Sequence, residues 1–160
     1  MPGYSGQQGQ GGGPPTAGDP TREKVNYWDG DRLSQKLVDE EAEQWAQKLK
    51  GVAASQLRRF YEHVLSLERR LDMEAERSGP GRREEIFGRL LPEFKMLKAK
   101  AYYAHARAKG REKEKMEGLR QFFIIHVAAV QRLRDFEAFT KHFQAVVAFH
   151  KFFAESTRER

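Results

Sequence analysis

Cysteine is absent from the 160 residues of this sequence. Its absence excludes disulfide bonds, thiolate zinc sites and a thiol nucleophile. Apolar runs as long as the roughly 18 residues that span a bilayer are also missing, so the sequence predicts no transmembrane helix and no membrane partner. Residues 1–30 lack the apolar core of a secretory signal. Together these absences favour a cytoplasmic protein.

The patterns that carry catalysis are missing as well. No serine occupies a nucleophile elbow, and no glycine-rich loop is placed to cradle a phosphate. None of the five histidines belongs to a His-Glu-x-x-His pair. His126 and His150 fall within apolar stripes, where a hydrogen-bonded core histidine is expected rather than a metal ligand. We therefore predict that the protein is not an enzyme and has no metal site and no cofactor.

Glycine, glutamine and proline dominate the start of the chain. Seven glycines occur by Gly18, and almost no residue there could anchor a core. Such a segment buries too little apolar surface to offset the entropy lost on ordering. We predict a disordered tail over residues 1–24 and a single helical domain over residues 25–160.

The rest of the chain repeats its apolar residues at spacings of three and four, as amphipathic helices do. No segment alternates with the period of two expected of a strand. The sequence therefore predicts an all-α fold, a compact bundle of about five helices with short connections. The predicted helices lie near Asp31–Lys50, Ala53–Glu76, Arg83–Gly110, Glu112–Arg134 and from Asp135 onward.

Three residues mark expected ends or irregularities of these helices. Gly51 is placed to end the first helix as the residue after the cap. Pro92 should kink or restart the third, because its ring removes a backbone donor and crowds the preceding turn. Asp135 can cap the fifth.

Basic charge is concentrated in the middle of the chain. Residues 52–111 hold 14 basic against 8 acidic residues, and the whole chain has a net charge of +6. Within this region an apolar stripe runs along a predicted helix. The stripe consists of Leu90, Phe94, Leu97, Ala101, Ala104 and Ala108. Beside it, Lys100, Arg107 and Arg111 are spaced seven and four apart, which places them on one helix face close to Tyr103.

These basic residues allow two interpretations. The candidates for phosphate contact form three pairs, Arg58/Arg59, Lys98/Lys100 and Arg107/Arg111. With Tyr102 or Tyr103 available to stack on bases, they would suit single-stranded RNA. Alternatively, the arginines lie along the bundle with their charged ends in water, and the tyrosines fill its edge. No segment is typical of a major-groove recognition helix, so sequence-specific duplex binding is not expected.

Three motifs occur in order along the chain: SQLRRFYEHVLSLE at Ser55–Glu68, PEFKMLKAKAYYAHAR at Pro92–Arg107 and FQAVVAFHKFF at Phe143–Phe153. In this order and at this spacing, they resemble the small subunit of the type III-A CRISPR–Cas interference complex, in the Csm family. The resemblance covers the chain from about Val25 to the C-terminus. Gln144 stands where the family usually has an acid and Phe149 where it usually has tyrosine. Because of the Tyr102-Tyr103 doublet, either tyrosine can align with the family's middle motif.

The resemblance implies a compact helical subunit that stacks in several copies as an inner filament, beside crRNA-bound backbone subunits and a large subunit. It implies a role in antiviral defence in which the subunit holds the backbone of target RNA and crRNA without reading sequence, because base pairing does the reading. The RNA-facing positions that the motifs carry over are Arg58, Arg59, Lys98, Lys100, Arg107 and Lys151. Face geometry and charge add Arg111 and Lys141.

A function of another class stays open at this point. The protein could be a helical adaptor whose basic face meets an acidic protein partner. Competition by RNA separates the two hypotheses, because RNA should displace nothing from an adaptor that binds only protein.

Overall fold

Six helices and one small hairpin make up residues 25–158, the part of the chain that the structure, a computed structural model, describes. The predicted tail, residues 1–24, lies outside this part, as do residues 159–160. The helices are α1 Gln35–Val38, α2 Glu40–Lys48, α3 Ala54–Ser78, α4 Arg83–Arg107, α5 Arg111–Ala129 and α6 Leu133–Arg158. The predicted all-α bundle is confirmed.

The N-terminal segment differs from the predicted helix over Asp31–Lys50. Strands β1 (Trp28–Asp29) and β2 (Arg32–Leu33) form an antiparallel hairpin, and Gly30 in its turn has a φ of 63°. The helical part that follows is divided into α1 and α2 at Asp39, whose φ of −123° and ψ of −100° are not helical. Glycine adopts a positive φ without steric cost, so Gly30 favours the tight turn of the hairpin. Strands of two residues are too short to show a period of two.

The four long helices bury the stripes predicted for them. The largest fully buried side chains include Phe94, Phe122, Phe123, Phe136, Phe139 and Phe143. These rings contact one another with centroid separations such as 5.3 Å for Phe94 and Phe139 and 5.4 Å for Phe122 and Phe143. Helix α5 is buried on nearly every side from Phe122 to Val127. A helix that is apolar around its whole circumference occupies the centre of a bundle.

Contacts between α3, α4 and α5 show that neighbouring helices in this group are antiparallel. Lys100 of α4 contacts His63 of α3, whereas Arg70, seven residues further along α3, pairs with Glu93, seven residues earlier in α4. The two helices therefore run in opposite directions. Helix α5 returns alongside α4, since His105 near the end of α4 pairs with Glu117.

Two buried histidines of α6 show that α6 runs parallel to α1 and α2. Nδ1 of His142 lies 2.5 Å from the carbonyl oxygen of Leu37, and Nε2 of His150 lies 3.0 Å from that of Leu49. The ends of α2, α4 and α6 therefore meet the starts of α3 and α5 at one end of the bundle. We call this the cleft end.

Two of the residues expected to shape helix ends behave differently from the prediction. Pro92 does not restart a helix, because α4 continues through it. Because proline has no backbone N–H, the carbonyl of Gly88, four residues earlier, receives no helical hydrogen bond. Both residues are exposed, so this carbonyl can face solvent. Gly51 has no positive φ. A Cβ there would lie 2.7 Å from Cγ of Lys115, so any larger residue would force the Lys115 side chain to move.

Asp135 does not occupy the predicted N-cap position, because α6 begins two residues earlier, at Leu133. From the first turn of α6 its carboxylate reaches back and accepts hydrogen bonds from the backbone amides of Gln131 and Arg132, both at 3.2 Å. It thus satisfies the amides just before the helix, as the acid of a capping box does.

Candidate nucleic-acid interface

A line of polar residues follows the groove between α3 and α4. On α3, Arg59, His63 and Arg70 are spaced four and seven apart, and on α4, Glu93, Lys100 and Arg107 are spaced seven apart, so each set shares one flank of its helix. The two flanks meet, because Nζ of Lys100 lies 2.7 Å from Nδ1 of His63 and Arg70 pairs with Glu93. We call this set, together with Tyr103, the seam surface.

Positive charge dominates the seam surface. Its one acid, Glu93, is paired with Arg70, and this pairing holds the pKa of Glu93 below its ordinary value. Burial and the Lys100 charge lower the pKa of His63, so a neutral imidazole can accept a hydrogen bond from the Lys100 ammonium. Within residues 25–158, neither Arg59 nor Arg107 has a carboxylate at salt-bridge distance. These cations are available to an anionic ligand.

An exposed aromatic ring lies within this positive region. The Tyr103 side chain is 63% exposed, and the guanidinium carbon of Arg107 lies 5.5 Å from its ring centroid. Tyr102, the other half of the doublet, lies on the opposite flank of α4, where the guanidinium of Arg120 sits 5.2 Å from its ring centroid. Tyr103 is therefore the tyrosine that can stack on a base beside basic residues.

Lys98 is separated from Lys100 in the folded protein. A step of two residues along a helix corresponds to a rotation of about 200°, so these two lysines project to opposite flanks of α4. Lys98 lies on the flank of Tyr102 and His105, and His105 pairs with Glu117 of α5 at 3.1 Å. The sequence motif places Lys98 and Lys100 side by side, whereas the helix divides them.

A cleft of about 780 Å³ opens at the cleft end of the bundle. Its basic side chains come from five separate segments: Lys50, Arg58, Arg107, Lys115 and Lys151. Arg107 belongs to both surfaces and joins the cleft to the seam surface. Glu112 and Glu155 are the acids that line the cleft among the described residues, and Val52 and Leu57 contribute to its apolar floor. Arg58 and Lys151, both predicted from the motifs, are thus brought together.

Arg58 and Arg59, adjacent in the sequence, face different surfaces. Arg58 lines the cleft, and Arg59 lies on the α4 side of α3, one turn before His63. Both are exposed.

The prediction that Arg111 continues the face of Lys100 and Arg107 is wrong. Helix α4 ends at Arg107, and the chain turns at Gly110, whose φ is 61°, so Arg111 is the first residue of α5. It is exposed next to Glu112, which lines the cleft. Gly110 is the sequence signal for this turn, because only glycine adopts a positive φ of this kind readily.

Lys141 lies apart from the other candidates. It is exposed on α6, ten residues before Lys151, which corresponds to about 15 Å along a helix axis. Sequence reasoning missed Lys50 and Lys115 of the cleft. Both belong to segments rich in charge of both signs, and only the fold brings them to Arg58.

The chemistry that these surfaces allow is binding of anions. Within residues 25–158, no group of three or more histidine, aspartate or glutamate residues is placed to hold a metal ion. The described helices include none with the length and apolar character needed to cross a membrane. The predicted core roles of His126 and His150 are confirmed, since both are buried and hydrogen-bonded.

Fold and surface together define a small helical-bundle protein whose basic residues collect on one groove and one end. A family model described as Csm2 Type III-A matches residues 32–156. The chain belongs to this family, the small subunits of the type III-A Csm complex of CRISPR–Cas systems, and the predicted resemblance is confirmed. Neither the curated proteins nor the solved structures gave a match to the chain.

Proposed function

We propose that this protein is a non-catalytic small subunit that holds the backbone of target RNA and crRNA through its seam surface. In this function it acts in the cytoplasm in antiviral defence, stacked in several copies as an inner filament beside the backbone and large subunits. The observation that carries the proposal is the groove between α3 and α4, where Arg59, Lys100 and Arg107 have no carboxylate at salt-bridge distance among the described residues, and Arg107 lies against the exposed Tyr103.

The arrangement suits a ligand recognised by charge and stacking. Lysine and arginine contact phosphates whatever the base, and an exposed tyrosine stacks on any base because every base has a π-face. Sequence would be read by crRNA pairing, so the subunit needs no base-specific contacts. A single copy offers few cations, and the repetition of the surface along a filament would supply the remaining affinity.

The test is charge reversal at the seam surface in a reconstituted complex. The variant carries Arg59→Glu and Lys100→Glu, and the readout is capture of a complementary target RNA in filter binding. Arg69→Glu with Lys95→Glu provides a matched control, because these residues are exposed on the same two helices and lie on faces turned away from the groove. Both variants change the net charge equally.

We expect the seam variant to capture RNA at least about ten-fold more weakly than wild type at low salt, since four units of charge change beside the RNA. The control should lose much less. Equal losses in both variants would mean that only the net charge of the subunit matters, and no loss in either would remove the seam surface as an RNA contact.

The alternative of a protein adaptor is favoured by a separate observation, the apolar floor of the cleft. This surface is distinct from the seam, so the two functions can coexist in one subunit.

A further inference from the structure

The cleft differs from the seam surface in having no ring on which a base could stack. Apart from the buried His150 imidazole, none of its lining side chains among the described residues is aromatic. The imidazole of His150 is already hydrogen-bonded within the protein, since its Nε2 lies 3.0 Å from the carbonyl oxygens of both Leu49 and Val52. The floor is aliphatic instead, formed by residues such as Leu57, Met116 and Val147. Such a floor accommodates aliphatic side chains.

Small residues make the walls of the cleft low enough for another backbone to approach. Six alanines line it: Ala53, Ala54, Ala104, Ala108, Ala148 and Ala154. Gly51 also lines it. Packing of two helices at short distance requires small side chains at the contact, and here they come from three different helices, the loop before α3 and the residue that follows α4.

Charge at the rim is positive but mixed. Five cations line the cleft against two acids, Glu112 and Glu155. An RNA backbone with a phosphate at every step would meet both carboxylates, whereas a peptide can place carboxylates opposite the cations and leave other positions neutral. Helix α3 also begins here with Ala53 as its N-cap, which offers no side-chain acceptor to the first amides. A partner carboxylate would be favourable at that position.

We propose that the cleft docks an acidic amphipathic helix of another subunit of the complex. Its aliphatic side chains would rest on the floor, and its carboxylates would face Lys50, Arg58 and Lys151. A volume of about 780 Å³ is enough for several aliphatic side chains. This inference goes beyond the proposed RNA contact, which uses the seam surface.

A second copy of this chain is a weaker occupant. Its acidic helix, α2, carries Glu40, Glu41 and Glu43 in the first turn. However, the apolar residues of α2 cannot enter a neighbour's cleft, because Ala42 and Ala46 are buried in its own core and Trp45 packs against that core.

Photo-crosslinking in the assembled complex tests the proposal directly. Ala148 is exposed and lines the cleft, so p-benzoylphenylalanine at this position reports what lies there. The same group at Lys98, on the far flank of α4, is the control. We expect Ala148 to crosslink to a protein segment in which acids outnumber bases and aliphatic residues recur at helical spacing. A crosslink to RNA, to a second copy of this chain, or to nothing would overturn the proposal.

A defined peptide gives an independent measurement on the isolated full-length protein. The probe is a labelled helical peptide with leucines at positions i, i+4 and i+7 and glutamates elsewhere, followed by fluorescence anisotropy. Arg58→Glu with Lys151→Glu should weaken its binding about ten-fold or more, because two rim charges are reversed. Arg59→Glu with Lys100→Glu, on the seam surface, should leave it nearly unchanged.

The controls separate this proposal from the RNA function. A peptide of the same composition with its leucines scattered should bind much more weakly; equal binding would reduce the site to charge alone. An unstructured RNA should not displace the amphipathic peptide at concentrations that fill the seam surface, and displacement would assign the cleft to RNA. If the seam variants lose RNA capture but still bind the peptide, the two surfaces have separate functions, and failure of one proposal would not remove the other.

Discussion

The hydroxyl of Tyr27 lies 2.8 Å from Nδ1 of His126, joining the segment before the hairpin to the central helix α5. Burial holds the pKa of Tyr27 well above its ordinary value, so the hydroxyl stays protonated and shares a hydrogen bond with the imidazole. The neighbouring His142 carries a proton on Nδ1, because the carbonyl oxygen of Leu37 can only accept. Two buried histidines thereby fasten the N-terminal elements to α5 and α6.

Tyr27→Phe should destabilise the protein without changing its fold. The ring is retained, but Nδ1 of His126 is left buried without its hydrogen-bond partner, which costs about 1–3 kcal/mol. Chemical denaturation followed by circular dichroism measures the loss. Tyr103→Phe, at an exposed ring, should change the unfolding free energy by much less; an equal effect of the two variants would contradict a specific role for the Tyr27 hydroxyl.

Acid should unfold the protein through the same histidines. Burial lowers the pKa of His126 well below its ordinary value, and it lowers those of His142 and His150. The unfolded chain, with histidine pKa values of about 6.5, then binds more protons than the folded protein. Their contribution to stability is complete above about pH 6.5 and is lost as pH falls through the lower folded pKa values. Denaturant midpoints from pH 8 to pH 5 check this, and His142→Gln should flatten the curve.

Phe143→Ala should be among the most destabilising substitutions in the chain. The side chain is fully buried and its ring lies 5.5 Å from that of Tyr61 and 5.6 Å from that of Phe139. Loss of burial and the cavity left behind cost about 3–5 kcal/mol together. A loss below about 1 kcal/mol in chemical denaturation would be incompatible with a packed core at this position.

Gly110→Ala tests the turn that ends the basic face of α4. Gly110 has a φ of 61° and a ψ of −129°, a conformation that costs a residue with a Cβ about 1–3 kcal/mol. Gly88→Ala is the matched control, since Gly88 lies inside α4 with open space around it. There alanine should stabilise by about 0.5–1 kcal/mol through helix propensity. Thermal melts of the two variants should shift in opposite directions.

The periodicity of apolar residues predicted the long helices well because large apolar side chains recur at helical spacing along each of them, and α5 differs only in being buried on nearly every side from Phe122 to Val127. Gly51 and Asp39 show where this reasoning ends. Gly51 lies close to the side chain of Lys115, a residue 64 positions further along the chain, and spacing alone cannot reveal such a contact. Asp39 breaks a helix whose sequence pattern continues across it.

The candidate site shows the same division between local and tertiary information. Motifs identified Lys100 and Arg107, which share a helix face because they are seven residues apart. Arg58 and Lys151 meet only because α3 starts where α6 ends, and the cleft between them depends on five segments. Charge patterns within one helix are therefore predictable, whereas a cleft formed by helix ends depends on the complete packing.

The salt dependence of RNA capture provides the most direct measure of phosphate contacts at the seam surface. For single strands, the logarithm of the binding constant falls with the logarithm of salt concentration by about 0.7 for each phosphate neutralised. If Lys100 and Arg107 each neutralise one phosphate, replacing both with glutamine should reduce the magnitude of the slope by about 1.4. Pairing with crRNA contributes equally in every variant, so the difference between slopes reports this surface. Arg69→Gln with Lys95→Gln should leave the slope unchanged, and an unchanged slope in the seam variant would show that neither cation contacts the RNA backbone.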